Sequence, residues 1–294
     1  MPLVGVLRNP RKDGDLFGEP FSRGMKELGW ENGRNVRFLF VWAEGHSERL
    51  PALASELVAR KVDLILATGA LGIRAAQRAT ATIPIVGIGD DLISSGLVAT
   101  MARPGGNTTG ISIFASELDV KRLELLHECV PHVRRIAVLA DPTASSNREP
   151  LHKAARALGI EIAIFEAQSR DEISRALDAM ETARVGAVNV LASPFLNAAR
   201  FLIRDWLLRT RLPGIFPFPE NAEEGGLLGY GPRLSLSFLH MARYADKILR
   251  GARPADLPIE QPTQFELVIN LRTAKALVIT VPQSLLLRGD KVIE

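Results

Sequence analysis

The sequence predicts an α/β protein made of two similar doubly wound lobes, and three observations carry that prediction. Short apolar runs alternate with amphipathic helical segments along nearly the whole chain, and two half-chains each show about four such strand–helix units. The third observation is residues 62–91, which spell out one unit in full. Residues 62–67 (VDLILA) form a nearly unbroken apolar run, the pattern of a parallel strand covered on both faces. Thr68-Gly69-Ala70 turns the chain at the strand's carboxyl end, and Leu71, Ala75, Ala76 and Ala79 then recur at helical spacing. Pro84 stops the helix and opens a second apolar run at 85–88, which closes in Gly89-Asp90-Asp91. A crossover of this length sets both strands parallel, with their carboxyl ends on one edge. Open α/β sheets bind ligands along that edge, so Thr68, Gly69, Asp90 and Asp91 are the first candidates for contact with a ligand.

The elements before this unit repeat it. Residues 3–7 read as a strand, 17–28 as a helix closed by Gly29, 35–42 as a second strand, and Ser47 as the cap of a helix running to about residue 60. Beyond it, Arg103-Pro104-Gly105-Gly106-Asn107 is a tight turn, and 109–114 is an extended segment at which a domain crossing is expected. Ser116 and Asp119 have the spacing of a capping box, with Leu118, Leu123, Leu126 and Val130 on one face of the following helix. Strands are then predicted near 135–140, 160–166, 187–191 and 214–216, and helices near 146–158, 170–183 and 196–210. After Gly225-Gly226 come a strand at 227–229, a helix over 235–250, a Pro-rich strand passage through Pro254, Pro258 and Pro262, and the ending 265–294. These late pieces are too short for a third domain. They are expected to complete the two sheets, which makes the chain cross between lobes more than once.

Composition narrows the function. The 294 residues suit two domains, and 36 Lys and Arg against 33 Asp and Glu leave a formal charge of only +3 with no basic run, which argues against nucleic acid as a partner. No apolar stretch approaches the roughly 20 residues of a membrane span. A single cysteine, Cys129, excludes an internal disulfide and fits either a cytoplasmic protein or an exported one lacking its leader.

Catalytic patterns are missing. Gly87-Ile88-Gly89 follows a strand but lacks the third glycine of a dinucleotide fingerprint, and neither a P-loop nor a GxSxG elbow occurs. His127 and His132 flank Pro131, which ends the helix and removes the one-face geometry that a metal-binding HExxH relies on. His46, His152 and His240 stand far apart without partner motifs. No reaction, cofactor or metal is expected.

What remains is a set of strand-end residues suited to recognition. Arg8 and Asn9 follow the first strand, Phe17 begins the next helix, and Ser112 and Phe114 sit at the first crossing. The loop 141–147 (DPTASSN) is rich in hydroxyls and amides, and the helix amino terminus expected near Ser146, with Asn147, can receive a carboxylate. Ser193 and Phe195, Phe218 and Glu220, and Tyr230 close the other lobe. Each taken singly also fits a core or turn role; their shared edge is what groups them.

Four segments carry a resemblance: KELGWENGR at 26–34, residues 61–68, GLVATMARPGGNTTGIS at 96–112 and, above all, 265–294 with FELVINLRTAKAL. Along essentially the whole chain the sequence resembles the solute-binding proteins of ABC importers, in the branch that includes tryptophan- and other aromatic-amino-acid-binding proteins. That resemblance implies a type I periplasmic-binding-protein fold with two Rossmann-like lobes, 1–112 with 233–263 and 113–232 with 264–294, joined by crossings near Ser112, Tyr230 and Thr263. It implies a ligand held between the lobes, drawn from Thr68, Asp90 or Asp91, Ser112, Asn147, Ser193 and the segment around Glu220. It also implies export with a removed leader, a periplasmic or extracellular location, an ABC permease as partner and a monomeric chain. The relatives carry an aspartate-containing segment where this chain has Phe218-Pro219-Glu220, which bears on ligand identity.

The function expected is therefore non-catalytic capture of a small organic acid or amino acid with an apolar, aromatic side group. Phe17, Phe114, Phe195, Phe218 and Tyr230 would supply flat walls, Ser112, Ser193, Asn147 and Arg8 the carboxylate partners, and Asp90, Asp91 or Glu220 the ammonium partner. Two rivals share the architecture. A regulator's ligand-sensing domain would need a helix-turn-helix ahead of Leu3, which the sequence does not carry, and a nucleotide-dependent enzyme would need the fingerprint that is missing.

Overall fold

Five parallel strands make the first sheet, in the order β2-β1-β3-β4-β5: β1 (Leu3–Arg8), β2 (Arg37–Trp42), β3 (Leu64–Thr68), β4 (Ile85–Gly89) and β5 (Thr108–Ser112). The computed structural model describes residues 1–9, 17–144 and 147–294, and divides the chain into one unit of 1–114 with 234–263 and another of 115–233 with 264–294. Helices α1 (Gly18–Glu27), α2 (Leu50–Ala59) and α3 (Gly69–Ala79) alternate with the first strands. Both faces are covered, so Val4, Val6, Leu64, Leu66, Ile85 and Val86 are fully buried and the strands read as continuous apolar runs. Two glycines face each other in the register of β4 and β5, Gly87 opposite Gly110. A Cβ on Gly110, whose φ is 148°, would lie 1.9 Å from the carbonyl oxygen of Gly87, so the pairing of these strands depends on that missing side chain.

The second unit holds seven strands in the order β12-β11-β10-β9-β8-β6-β7. They are β6 (Arg135–Ala140), β7 (Glu161–Glu166), β8 (Ala187–Val190), β9 (Gly214–Phe216), β10 (Leu228–Gly231), β11 (Glu266–Asn270) and β12 (Lys291–Ile293). All pairs are parallel except β10 with β11. Helices α4 (Asp119–Cys129), α5 (Glu149–Leu158), α6 (Arg170–Thr182), α7 (Pro194–Ala198), α8 (Arg200–Thr210) and α9 (Pro219–Glu223) connect them. One core cluster gathers Leu123, Leu126, Ile136, Val138, Ile215, Leu267 and Ile269, and another gathers Leu139, Ile173, Val188, Ile203, Trp206 and Phe216. The long helix α10 (Leu234–Leu249) returns to the first unit, where Gly24 lets α1 close on it: a Cβ at Gly24 would sit 2.9 Å from that of Ala242. The chain ends through α11 (Leu271–Ala276) and α12 (Gln283–Leu286) in the second unit.

Several local expectations are corrected. Ser47 opens a 3-10 turn, and α2 begins after it at Leu50 with Pro51 in its first turn and Arg49 at the N-cap position, so Ser47 does not cap α2. Ser116 likewise lies in a 3-10 turn (Ala115–Leu118) ahead of α4, whose N-cap position is Leu118. The extended segment expected at 109–114 is for the most part a fifth strand, Thr108–Ser112, hydrogen-bonded to β4. The helix expected over 196–210 breaks at Ala199 into α7 and α8. The Pro-rich passage is a 3-10 turn (Pro254–Asp256) followed by a single bridge of Glu260 to Ile111, because prolines cannot sustain a strand ladder. Finally, the late strands β10, β11 and β12 all join the second sheet, so they do not complete both sheets.

Candidate functional site

In the first unit β1, β3, β4 and β5 run parallel, and their carboxyl ends bring Arg8, Asn9, Thr68, Gly69, Asp90, Asp91, Ser112 and Phe114 to one edge. Their side chains do different things there. Arg8 is only 3% exposed: its guanidinium donates to Thr68 Oγ1 at 2.6 Å and lies 4.7 Å above the Phe17 ring and 5.7 Å from that of Phe238. A cation held this way binds two strand ends and an aromatic cluster together. Phe17 is fully buried, stacked on Phe21 at 4.8 Å and edge-on to Phe238 at 5.2 Å. Thr68 occupies the N-cap position of α3 in extended conformation, with its hydroxyl taken by Arg8, and Gly69 turns into the helix at φ 74°. Among the described residues the buried side-chain oxygen of Asn9 meets no hydrogen-bond donor, an acceptor that an N–H of a bound molecule or a water can satisfy.

The loop after β4 is locked by its own residues. Asp91 Oδ1 accepts from the amides of Ile93 at 2.9 Å and Ser94 at 3.1 Å, which shapes the turn. Ser112 is fully buried and its hydroxyl accepts from the Leu92 amide at 3.1 Å. Asp90 and Phe114 are half-buried, and the Phe114 amide donates to the Asp90 carbonyl at 2.9 Å. Phe114 itself stands at φ 46°, a left-handed conformation that is rare for an aromatic residue and costs about 1–3 kcal/mol. Strain of this kind persists where the surrounding bonds hold it, and here Ile113 and Phe114 are both tied to the end of β4.

The second unit presents its own edge. Asp141, just past β6 and 4% exposed, accepts from the Ser193 hydroxyl at 2.6 Å through one carboxylate oxygen, and from Thr143 N and Oγ1 at 2.8 and 2.7 Å through the other. Ser193 also caps α7, accepting from the amides of Phe195 and Leu196. Phe195 beside it stays half-buried. Phe218 is 4% exposed and its amide donates to Asn221 Oδ1, while Glu220 is 8% exposed at the start of α9. Tyr230, at the end of β10, is half-buried. Asn147 is exposed and accepts from the Glu149 amide at 3.2 Å, but the helix start expected at Ser146 lies outside the described residues.

Two features were not singled out from the sequence. Arg122 is fully buried, ion-paired to Asp119, and donates to the carbonyls of Ala115 at 2.6 Å and Tyr230 at 3.1 Å. It thereby ties the segment entering this unit to the one about to leave it. Arg233 does the same further on, bridging Glu223 and Glu266, with Lys291 adding a bond to Glu223 at 2.8 Å. Hydrogen bonds donated to the Glu266 carboxylate raise the Arg233 guanidinium further above its already high range. Burial pushes the Glu223 carboxyl up, but hydrogen bonds and charge from Arg233 and Lys291 outweigh it and hold the group below the ordinary carboxylate value. The partners that Arg233 joins lie far apart in sequence, so no local spacing marked them.

Elsewhere the chemistry is quiet. Among the described residues no three His, Cys, Asp or Glu gather to hold a metal, and no helix is long and apolar enough to cross a membrane. Burial pushes the Cys129 thiol up to about 11, so it is a packed side chain and not a nucleophile.

Comparison with known proteins gives a consistent result. The family model described as ABC transporter substrate binding protein matches residues 15–293. A tyrosine-binding protein of Clostridioides difficile is 26% identical over 270 residues, covering 90% of this chain and 76% of its own length. Among solved structures, a conserved domain protein of Vibrio cholerae superposes with a TM-score of 0.89 at 25% identity, covering 99% of both chains. A Streptococcus pneumoniae ABC domain in complex with L-Trp gives 0.86 at 24%, again over 99% of both. Type I sugar-binding proteins share the fold alone, as in a periplasmic solute binding protein from Actinobacillus succinogenes with bound D-allose, with a TM-score of 0.61 at 14% identity over 94% of this chain and 99% of that one.

Proposed function

This chain belongs to the family of ABC transporter substrate-binding proteins, and within that family we propose that it captures an aromatic amino acid, or a related small acid with an aromatic side group, for delivery to an ABC permease. The family is one of binding proteins and not of enzymes, so the ligand is handed on unchanged. The observation that carries the reading is the sequence similarity, along 90% of the chain, to a protein named for tyrosine binding. The structural neighbour solved with L-Trp supports it from the side of the fold.

The strand-end chemistry agrees with such a ligand. Half-buried rings at these edges, Phe114 in the first unit and Phe195 and Tyr230 in the second, offer flat apolar surface. Asp90 and the buried acceptor of Asn9 suit an ammonium group, while the Thr68 hydroxyl, which accepts from Arg8 and keeps a proton to donate, and Asn147 supply neutral polar partners. Arg8, Asp91, Ser112, Ser193 and Phe218 are engaged within their own units, so in this reading they shape the edge, and Phe17 packs beneath it. The proposed setting is periplasmic or extracellular, with the protein acting as a monomer beside its permease.

Calorimetry tests the reading with a panel of aromatic amino acids, their deaminated acids, branched-chain acids and sugars, on the wild type, Phe114→Ala and Asp90→Asn. The expected result is tightest binding by an aromatic member, weakened about tenfold or more by Phe114→Ala. Asp90→Asn should weaken the amino acid more than its deaminated counterpart. Tight binding of a sugar, or indifference of the aromatic ligand to both substitutions, would contradict it.

A further inference from the structure

Trp42 ends β2, the edge strand of the first sheet, in register with Arg8. Strand alternation puts Phe38, Phe40 and Trp42 on one face of β2. Phe38 meets Phe21 edge-on at 5.5 Å and Phe40 meets Phe17 edge-on at 6.3 Å, so the strand's rings continue the core formed by Phe17, Phe21 and Phe238. A row of aromatic side chains thus runs out of the core to the carboxyl edge, and Trp42 is its last member. It stacks on Phe40 at 5.8 Å with the ring planes 10° apart. Among the described residues no second ring and no cation lies against it, and its indole N–H finds no acceptor. Trp30, by contrast, donates its indole N–H to Asp246 Oδ1 at 2.8 Å. A half-buried tryptophan at a ligand-bearing edge, with one face stacked and its donor unspent, is built to receive another flat ring.

We propose that Trp42 is the stacking platform for the ring of an aromatic amino-acid ligand and a determinant of specificity, its N–H donating to an oxygen of that ligand. Phe40 and the core behind it hold the indole plane fixed, so little side-chain entropy is lost when the ligand stacks. The inference rests on the function proposed above and assigns the part of the edge that reads the ring.

The test titrates L-tryptophan, L-tyrosine and L-leucine into the wild type, Trp42→Ala and Trp42→Phe by calorimetry, and follows indole fluorescence with tyrosine as the ligand. Trp42→Ala should raise the Kd of the aromatic ligands by about tenfold or more while leaving whatever affinity leucine shows within about twofold. Trp42→Phe keeps a ring and loses the donor, so its Kd should fall between. The fluorescence change on tyrosine binding should disappear in Trp42→Phe, although Trp30 and Trp206 remain. If Trp42→Ala does not fold, Trp42→Phe decides alone. Aromatic binding by the wild type, with unchanged Kd and an unchanged fluorescence response in Trp42→Phe, overturns this proposal while leaving the function standing. A wild type that binds no aromatic amino acid overturns the proposed function itself, and this inference with it.

Discussion

Arg122 shows what a single residue contributes to this fold. Its guanidinium is fully buried, paired with Asp119 and bonded to two main-chain carbonyls, that of Ala115 just before the helix and that of Tyr230 far along the chain. Removing one partner of such a pair leaves the other charged and dry, so Arg122→Met should destabilise the protein by about 3–5 kcal/mol in denaturant unfolding. A loss under about 1 kcal/mol would mean the pair is dispensable. In the sequence Arg122 reads as one more charge on an amphipathic helix, because its two carbonyl partners come from the ends of other segments. Phe17 is the converse case. Its place just after the first strand suggested a ligand wall, but α10, which returns from far along the chain, supplies Phe238 and completes the burial. Local pattern assigns a residue to an edge; whether the side chain faces solvent there is decided by packing that the pattern does not contain.

At the level of elements, the strands and their parallel pairing were legible, since apolar runs ending in Gly, Asp or Ser mark the buried strands and their turns. Thr68 and Asp90 stand at the ends of neighbouring parallel strands, as the unit at 62–91 foretold. The ends of helices were less legible: Ser47 and Ser116 have cap chemistry but fall in 3-10 turns, where the geometry of the next residues takes over. Nor did the sequence announce how β10 and β11 pair antiparallel, or how ion pairs fasten them. Arg233 links Glu223 on α9 to Glu266 on β11, and Lys291 on β12 reaches the same Glu223. The folded-state pKa of Glu223 is depressed, so its contribution is full above the ordinary carboxylate value of 4.5 and is lost as pH falls through the lower folded value. Glu223→Gln should therefore cost about 1–2 kcal/mol near neutral pH, and thermal unfolding should show that gap closing as pH falls below the ordinary carboxylate value of 4.5. A gap that stays constant as the solution is acidified would contradict this assignment.

For the whole molecule, two α/β units on one chain and the family match along residues 15–293 point to capture of a small molecule without chemistry. The fold and its family were readable because long alternating patterns and the segments at 96–112 and 265–294 are distributed along the chain. The ligand-facing groups were harder to read. Several strand-end residues spend their polar atoms on neighbours, as Ser193 does on Asp141 and Ser112 on Leu92, and only the assembled edge reveals it. Binding of an aromatic amino acid without turnover can be checked by equilibrium dialysis followed by mass spectrometry of the recovered ligand. With L-tyrosine or L-tryptophan supplied well above its Kd, the protein should retain one equivalent and release it chemically unchanged. Retention of neither, or loss of the ligand to a product, would contradict the account.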